Sequence, residues 1–215
     1  MAMDNFAHGN ATSIEEAVEA LGDGTRPLAG GTDLVAMMKE GLTAPERLVN
    51  LKTIPGLDHV EKRSDGLHLG ALLTLSALVE NPELSEDEAL ACLVEATAES
   101  ASPQLRHMAT LGGNLVQRPR CWYFRNPEVP CWRKGGQKCF AFKGLNTYHT
   151  IFGPGPCYAV HPSDPAVALM ALDGSVQLMG PRGRRTLSLS DVSTRPTPDR
   201  QMADGYHPVT VLGTD

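Results

Sequence analysis

Four cysteines, Cys121, Cys131, Cys139 and Cys157, fall within 37 residues, with nine, seven and seventeen residues between them. Nine of the eleven aromatic residues share the stretch 118–158. So do Arg118, Arg120, Arg125, Arg133, Lys134, Lys138 and Lys143, against the single acid Glu128, in a chain whose net charge is -6. Local positive charge suits ionised thiolates. Four thiolates without a histidine at fixed spacing fit a tetrahedral zinc site or an iron–sulfur cluster. Structural zinc sites usually draw ligands from close pairs, and no such pair exists here, so the spacing favours iron while leaving zinc open. Disulfides fit least well, because five cysteines leave one over and nothing marks the chain for secretion. Cys92 stands apart, in a segment where Leu90, Leu93, Val94 and Thr97 recur at helical spacing. It reads as a small buried hydrophobe.

Two further segments could bind a ligand through the backbone. In 28–34, Leu28-Ala29-Gly30-Gly31-Thr32-Asp33-Leu34, a strand runs through a double glycine into a helix start. Adjacent glycines let the chain approach a bulky group, and exposed N–H groups there favour an anion such as a pyrophosphate; the other reading is a plain tight turn. In 104–115 a second double-glycine turn, Gly112-Gly113-Asn114, follows Thr110. Two such turns suggest two backbone approaches to one ligand, although Gly113-Asn114 also suits a hairpin. Neither GxGxxG nor GxxxxGK[ST] occurs. His107 and His161 lack metal-like partner spacing and read as structural or solvated.

The elements that must position these groups follow from periodicity and caps. Ser13 and Glu16 predict a capping box opening a helix over 13–21. A helix is predicted over 35–40 with Gly41 as its stop, strands over 47–51 and 67–72, and a helix from Thr74 to about Glu80. An apolar helix is predicted over 166–172 after His161-Pro162-Ser163-Asp164-Pro165. A hairpin pairs 175–179 with 184–188. From Asp191 the pattern dissolves, and 191–215 is expected to be a poorly ordered tail. The 215 residues suffice for one substantial domain or two small ones sharing a core. Net charge -6 and a pI near 5.6 argue against nucleic acid as a partner. The basic patch reads as cluster electrostatics or a protein docking surface. Residues 1–21 lack a signal-peptide pattern and nowhere do eighteen apolar residues run together. A soluble, cytoplasmic protein with no membrane partner is expected.

The segments at 28–34, 104–115 and 161–173, in this order, resemble the FAD-binding subunit of the xanthine dehydrogenase family of molybdenum hydroxylases. The cysteine stretch resembles the insertion of members that carry an extra [4Fe-4S] cluster, closest to the aldehyde oxidoreductase type. The resemblance covers about residues 6–191. It implies an α+β, two-subdomain FAD-binding fold of the vanillyl-alcohol oxidase (PCMH) type. The subdomains would be 1–53 and 54–190, the latter carrying an iron–sulfur insertion at 118–158. Leu28, Ala29, Gly30, Gly31, Thr32, Asp33 and Leu34 would wrap the FAD pyrophosphate. Thr110, Gly112, Gly113 and Asn114 would line the cofactor from the second subdomain, and Ser163 and Asp164 would reach the ribityl side. Cys121, Cys131, Cys139 and Cys157 would ligate the cluster. Implied partners are a molybdopterin-binding large subunit, where substrate is oxidised, and a [2Fe-2S] small subunit; export with a partner to the periplasm is the alternative compartment. The family's C-terminal flavoprotein domain of about a hundred residues is expected to be missing here. The competing readings are a structural zinc module and a truncated, nonfunctional relative.

Overall fold

Two β-sheets of opposite kind organise the chain in the computed structural model, which describes residues 3–153, 155–193 and 207–213. In the first sheet, β1 (Ala7–Asn10), β2 (Thr25–Leu28) and β3 (Arg47–Asn50) are parallel in the order β1-β3-β2. Parallel neighbours need crossovers. Helices α1 (Ile14–Ala20) and α2 (Leu34–Lys39) supply them. Ser13 caps α1 by accepting from the Glu16 N–H, but the Glu16 carboxylate returns to the N–H and hydroxyl of Thr12, one residue earlier than a capping box places it. Ala11, Ala17, Val49 and Ile54 bury a small core beneath this sheet.

The second sheet is antiparallel and contains β4 (Val60–Arg63), β5 (Gly66–Gly70), β6 (Ser175–Gly180), β7 (Gly183–Ser188) and β8 (His207–Gly213), in the order β4-β5-β8-β6-β7. Between β5 and β6 run α3 (Leu75–Glu80), α4 (Pro82–Ser85), α5 (Ala91–Glu99), α6 (Pro103–Arg106), α7 (Leu111–Leu115), α8 (Trp122–Arg125) and α9 (Asp164–Ala171), and α10 (Leu189–Ser193) follows β7. Leucines do most of the packing: Leu69, Leu75, Leu78, Leu84, Leu93, Leu111 and Leu169 are essentially solvent-free. Each such side chain contributes about 1.5–3 kcal/mol relative to exposure.

Three expectations need correction. Cys92 is exposed. It is turned by roughly 100° from Leu93, whose face α5 buries, and one residue along a helix is enough to leave the core. Gly112 and Gly113 lie in α7 rather than in a turn, because the Thr110 hydroxyl accepts the Gly113 N–H and starts a short helix there. Within 191–215, residues 191–193 finish α10 and 207–213 form β8, between β5 and β6 in the sheet; the rest of that tail lies outside the described residues. Pairing on both sides, Leu67 with Gly213 and Ser175 with Leu212, overrides a local sequence without period. Pro208 sits opposite Leu178, where the ladder slips in register and a missing N–H costs least. β1 and β4 are short strands that the sequence reading leaves as connections.

At Gly30 the loop after β2 meets the helical half of the chain. A Cβ on Gly30 would stand 1.7 Å from the Met108 carbonyl oxygen, so the double-glycine loop after β2 packs backbone to backbone on the segment between α6 and α7. That segment is itself laced to the second sheet's first helix: Leu75 donates to the Ala109 carbonyl, and Leu111 to that of Leu73. Gly31 has another constraint, a left-handed φ of +73°. Gly30→Ala is therefore expected to destabilise by about 3 kcal/mol through overpacking against backbone, and Gly31→Ala by about 1–2 kcal/mol, chiefly through backbone conformation, since the side chains of Leu28 and Val35, 3.1 Å from the new Cβ, can shift. Urea unfolding of both variants checks the order; Gly31→Ala as the worse variant contradicts it.

Candidate functional site

The residues around the glycine contact enclose a cavity of about 870 Å³, within the range of cofactor sites. One wall is the loop from Leu28 to Leu34 between β2 and α2. The facing wall carries Thr110, Gly112, Gly113 and Asn114 at the start of α7, and Asp164 at the start of α9. Thus twelve of the thirteen expected flavin-binding residues line one space. Ser163 does not. It is 2% exposed, caps α9 through the Ala166 N–H and donates its hydroxyl to Asn114 Oδ1, so it fixes Asn114 rather than lining the cavity. One oxygen of Asp164 accepts from the Ser100 hydroxyl at 3.0 Å.

The loop 29–33 is built to meet an anion. Among the described residues no acceptor takes the backbone N–H groups of Gly30, Gly31, Thr32 or Asp33. Lys52 Nζ donates to the Ala29 carbonyl at 2.8 Å, and partial burial pulls its ammonium below the usual lysine range. A carboxylate in such a loop would repel an anion, yet Asp33 is held otherwise. Its Oδ1 accepts from Arg125 Nη2 at 2.6 Å, its Oδ2 accepts the Arg118 N–H at 2.8 Å, and Arg120 Nη1 lies 3.3 Å from Oδ1. The Asp33 and Arg125 side chains are 15% and 14% exposed, and Arg125 also donates to the carbonyls of Arg118 and Pro119. Asp33 therefore ties the glycine loop to the segment bearing the cysteines.

That segment contributes a third wall, which the sequence reading missed. Gln117, Arg118, Arg120, Phe124, Arg133 and Lys134 all line the large cavity. Their charge is legible in the sequence, but its expected destinations are the thiol cluster or a protein docking surface, not this cavity. The structure divides it. Arg120 and Arg125 serve Asp33, Lys134 Nζ donates to the Asn126 carbonyl, Lys138 lies over the Phe140 ring, and Arg133 Nε donates to Cys157 Sγ at 3.2 Å.

Cys121, Cys131, Cys139 and Cys157 line a second, much smaller cleft with Tyr123, Phe124, Trp132, Arg133, Phe140 and Ala159. All are free thiols. Among the described residues no three His, Cys, Asp or Glu side chains are grouped so as to hold a metal ion. The cysteines share a cleft without converging on one point. His149, unremarked in the sequence, brings Nε2 within 3.1 Å of Cys121 Sγ and stands edge-on to Trp122. Burial pushes the Cys121 thiol above its ordinary range; N–H groups of Phe124 and Tyr123 oppose this weakly, and Cys131 and Cys139 add to it. An ionised Cys121 thus calls for a cation beside it. Outside the cleft, Phe142, Leu145, Tyr148, Ile151 and Phe152 are exposed. No helix among the described residues is long and apolar enough to cross a membrane.

Comparison with known proteins matches residues 4–204 to the FAD binding domain in molybdopterin dehydrogenase. The chain is 38% identical over 172 residues to the aldehyde oxidoreductase FAD-binding subunit PaoB of Escherichia coli, covering 78% of this chain and 53% of that protein. It is 36% identical over 115 residues to the carbon monoxide dehydrogenase medium chain of Afipia carboxidovorans, covering 52% and 39%. Among solved structures, carbon monoxide dehydrogenase from Hydrogenophaga pseudoflava superposes with a TM-score of 0.71 at 23% identity, over 100% of this chain and 61% of that one. The chain thus spans about half the length, or less, of these curated relatives, and the solved structure shares its mixed α+β fold.

Removing one partner of the mostly buried Asp33–Arg125 pair leaves the other with only its weaker neighbours, Arg120 and the Arg118 N–H for Asp33, two carbonyls and Glu40 at 3.8 Å for Arg125. Asp33→Ala is expected to cost about 3 kcal/mol, and Arg125→Met a similar amount. The double variant should cost less than their sum by 0.5 kcal/mol or more, as for groups in one network (about 0.5–3 kcal/mol). Denaturant unfolding of the four proteins measures the cycle; strict additivity would show that the two residues act separately.

Proposed function

The chain belongs to the family of FAD-binding domains of molybdopterin dehydrogenases, and from that premise we propose that it is the flavin- and iron–sulfur-bearing, electron-transfer part of a molybdenum-dependent hydroxylase. In this reading residues 1–53 and 54–190 are the two subdomains that hold FAD between them. The thiols of 118–158 hold a [4Fe-4S] cluster. Substrate, an aldehyde or an aromatic compound, is oxidised on a molybdopterin-binding large subunit, and a [2Fe-2S] small subunit delivers the electrons. The observation that carries the reading is that two separate glycine motifs, one in the loop after β2 and one in α7, face one cavity of about 870 Å³.

The residues present fit FAD. The unused N–H groups of residues 30–33 suit a diphosphate, Thr110 and Asn114 offer polar groups from the second subdomain, and Gly30 and Gly112, which pack on Met108 and Ala71, let the cavity walls close on the neighbouring backbone. The donors suit a cluster by their chemistry: four cysteines, the usual ligands of a [4Fe-4S] centre, line one cleft; among the described residues no three of the ligating side chains are grouped to hold a metal ion. Arg133 and His149 each place a nitrogen beside a thiol sulfur, where N–H donation steadies a metal-bound thiolate. When bound, FAD exchanges electrons one or two at a time and the cluster one at a time, so the pair can relay electrons to an external acceptor. The protein's own part is to position both, with Asp33 and Arg125 fixing one against the other.

The test is the absorption spectrum and the cofactor content of protein purified without oxygen. Flavin bands with a broad iron–sulfur shoulder are expected; a colourless zinc protein or a metal-free aggregate contradicts the reading. Serine at Cys121, Cys131, Cys139 or Cys157 should lower the iron content, while Cys92→Ser, on the outer face of α5, should leave it intact. Equal iron loss from Cys92→Ser would sink the ligand assignment.

A further inference from the structure

Arg133 stands in the wall common to the two cavities. Of the described residues that line them, only Phe124 and Arg133 border both. Phe124 is 6% exposed and supplies the apolar part of the partition. Arg133 supplies the charge. Its Nε donates to Cys157 Sγ at 3.2 Å, which leaves four further N–H groups on the same planar fork. The neighbouring cations are committed elsewhere: Arg120 and Arg125 to Asp33, and Lys134 to a backbone carbonyl. No carboxylate of the described residues pairs with Arg133.

We propose that Arg133 is a positioning residue shared by both sites, its one guanidinium holding a thiolate ligand of the cluster on one side and a flavin nucleotide on the other, so that each site responds to the charge of its neighbour. This rests on the function proposed above and adds a linkage that two adjacent sites do not by themselves require. A cluster held by these thiols would become one unit more negative on taking up one electron from the external reductant, with no bond formed or broken and no proton moved. A cation and an N–H donor at a ligating sulfur favour that reduced form. The same cation favours electron-rich or anionic groups in the large cavity. Because coupling between two bound states is reciprocal, flavin occupancy must alter the cluster potential as much as cluster reduction alters flavin affinity.

The experiment uses the whole purified chain with its cluster, as parent, Arg133→Gln and Arg133→Lys, with Lys143→Gln as an exposed control in the same segment. FAD affinity is measured by fluorescence after flavin removal. The cluster potential is titrated with dithionite and mediator dyes, with and without FAD. For Arg133→Gln the expected results are FAD binding about tenfold weaker and a one-electron equilibrium shifted about tenfold against reduction, which is a fall of about 59 mV. The difference that FAD makes to the potential should also shrink. Lys143→Gln should change none of these. Arg133→Lys, which keeps the charge but not the fork, should shift both readouts in the same direction by less, and it decides the matter if Arg133→Gln sheds its iron. A change at one site only, or an FAD effect on the potential that survives in the variants, overturns the shared role. A parent that holds neither flavin nor iron refutes the proposed function itself, whereas a parent with both cofactors and unaltered variants refutes this inference alone.

Discussion

The Asp33–Arg125 ion pair is the fixed point of the molecule's functional half. Asp33 ends the loop that the parallel sheet throws toward the cavity, and Arg125 ends α8 in the segment that carries the thiols. With both side chains largely withdrawn from water, each makes the other's burial tolerable. The Arg118 N–H and the Arg120 guanidinium add to the same carboxylate. Three consequences follow from this contact. The glycine loop, with its unused N–H groups, is held at the cavity wall, its one carboxylate is paired with cations, and the cysteine segment is held at the cavity's edge.

Much of this architecture is legible in the sequence, and the parts that are not fail for identifiable reasons. Ser13, Thr74 and Ser163 announce their helices because a capping side chain is a local device. The hairpin of β6 and β7 is local too. The double glycine at 30 and 31 marks a close backbone approach, but what approaches Gly30 is the Met108 carbonyl, a tertiary neighbour that no window of sequence contains. Ser163 and Asn114 stand far apart in the chain, so their hydrogen bond could not be read from either motif. Cys92 was misplaced by a single helical step, the resolution at which an apolar pattern of only four residues stops deciding faces.

Charge in the cysteine segment teaches a related lesson. Counting seven cations against one acid gives the sign of the segment's charge, but a count cannot assign partners. Folded, the segment sends its arginines in different directions: to Asp33 in the loop after β2, to a thiol sulfur and along a second cavity. The insertion is thus part of the larger cavity's wall as well as a container for thiols.

The position of β8 carries a consequence for how the chain acquires its fold. This strand comes last among the elements, yet it fills the gap between β5 and β6, pairing Leu67 with Gly213 on one side and Val176 with Val211 on the other. A ribosome adding about 5–20 residues per second therefore leaves β5 waiting for roughly ten seconds before its partner has been made. For most of that interval β5 presents an open ladder edge alone, joined by the edge of β6 once residues 175–180 have been made, and an open edge is the kind of surface that recruits other chains. Contacts of such long sequence separation also form slowly once all the parts exist. Production of this protein should accordingly be limited by how well the nascent chain is shielded, so that slower synthesis, cooler growth or an abundant holdase governs yield more than the stability of the finished sheet.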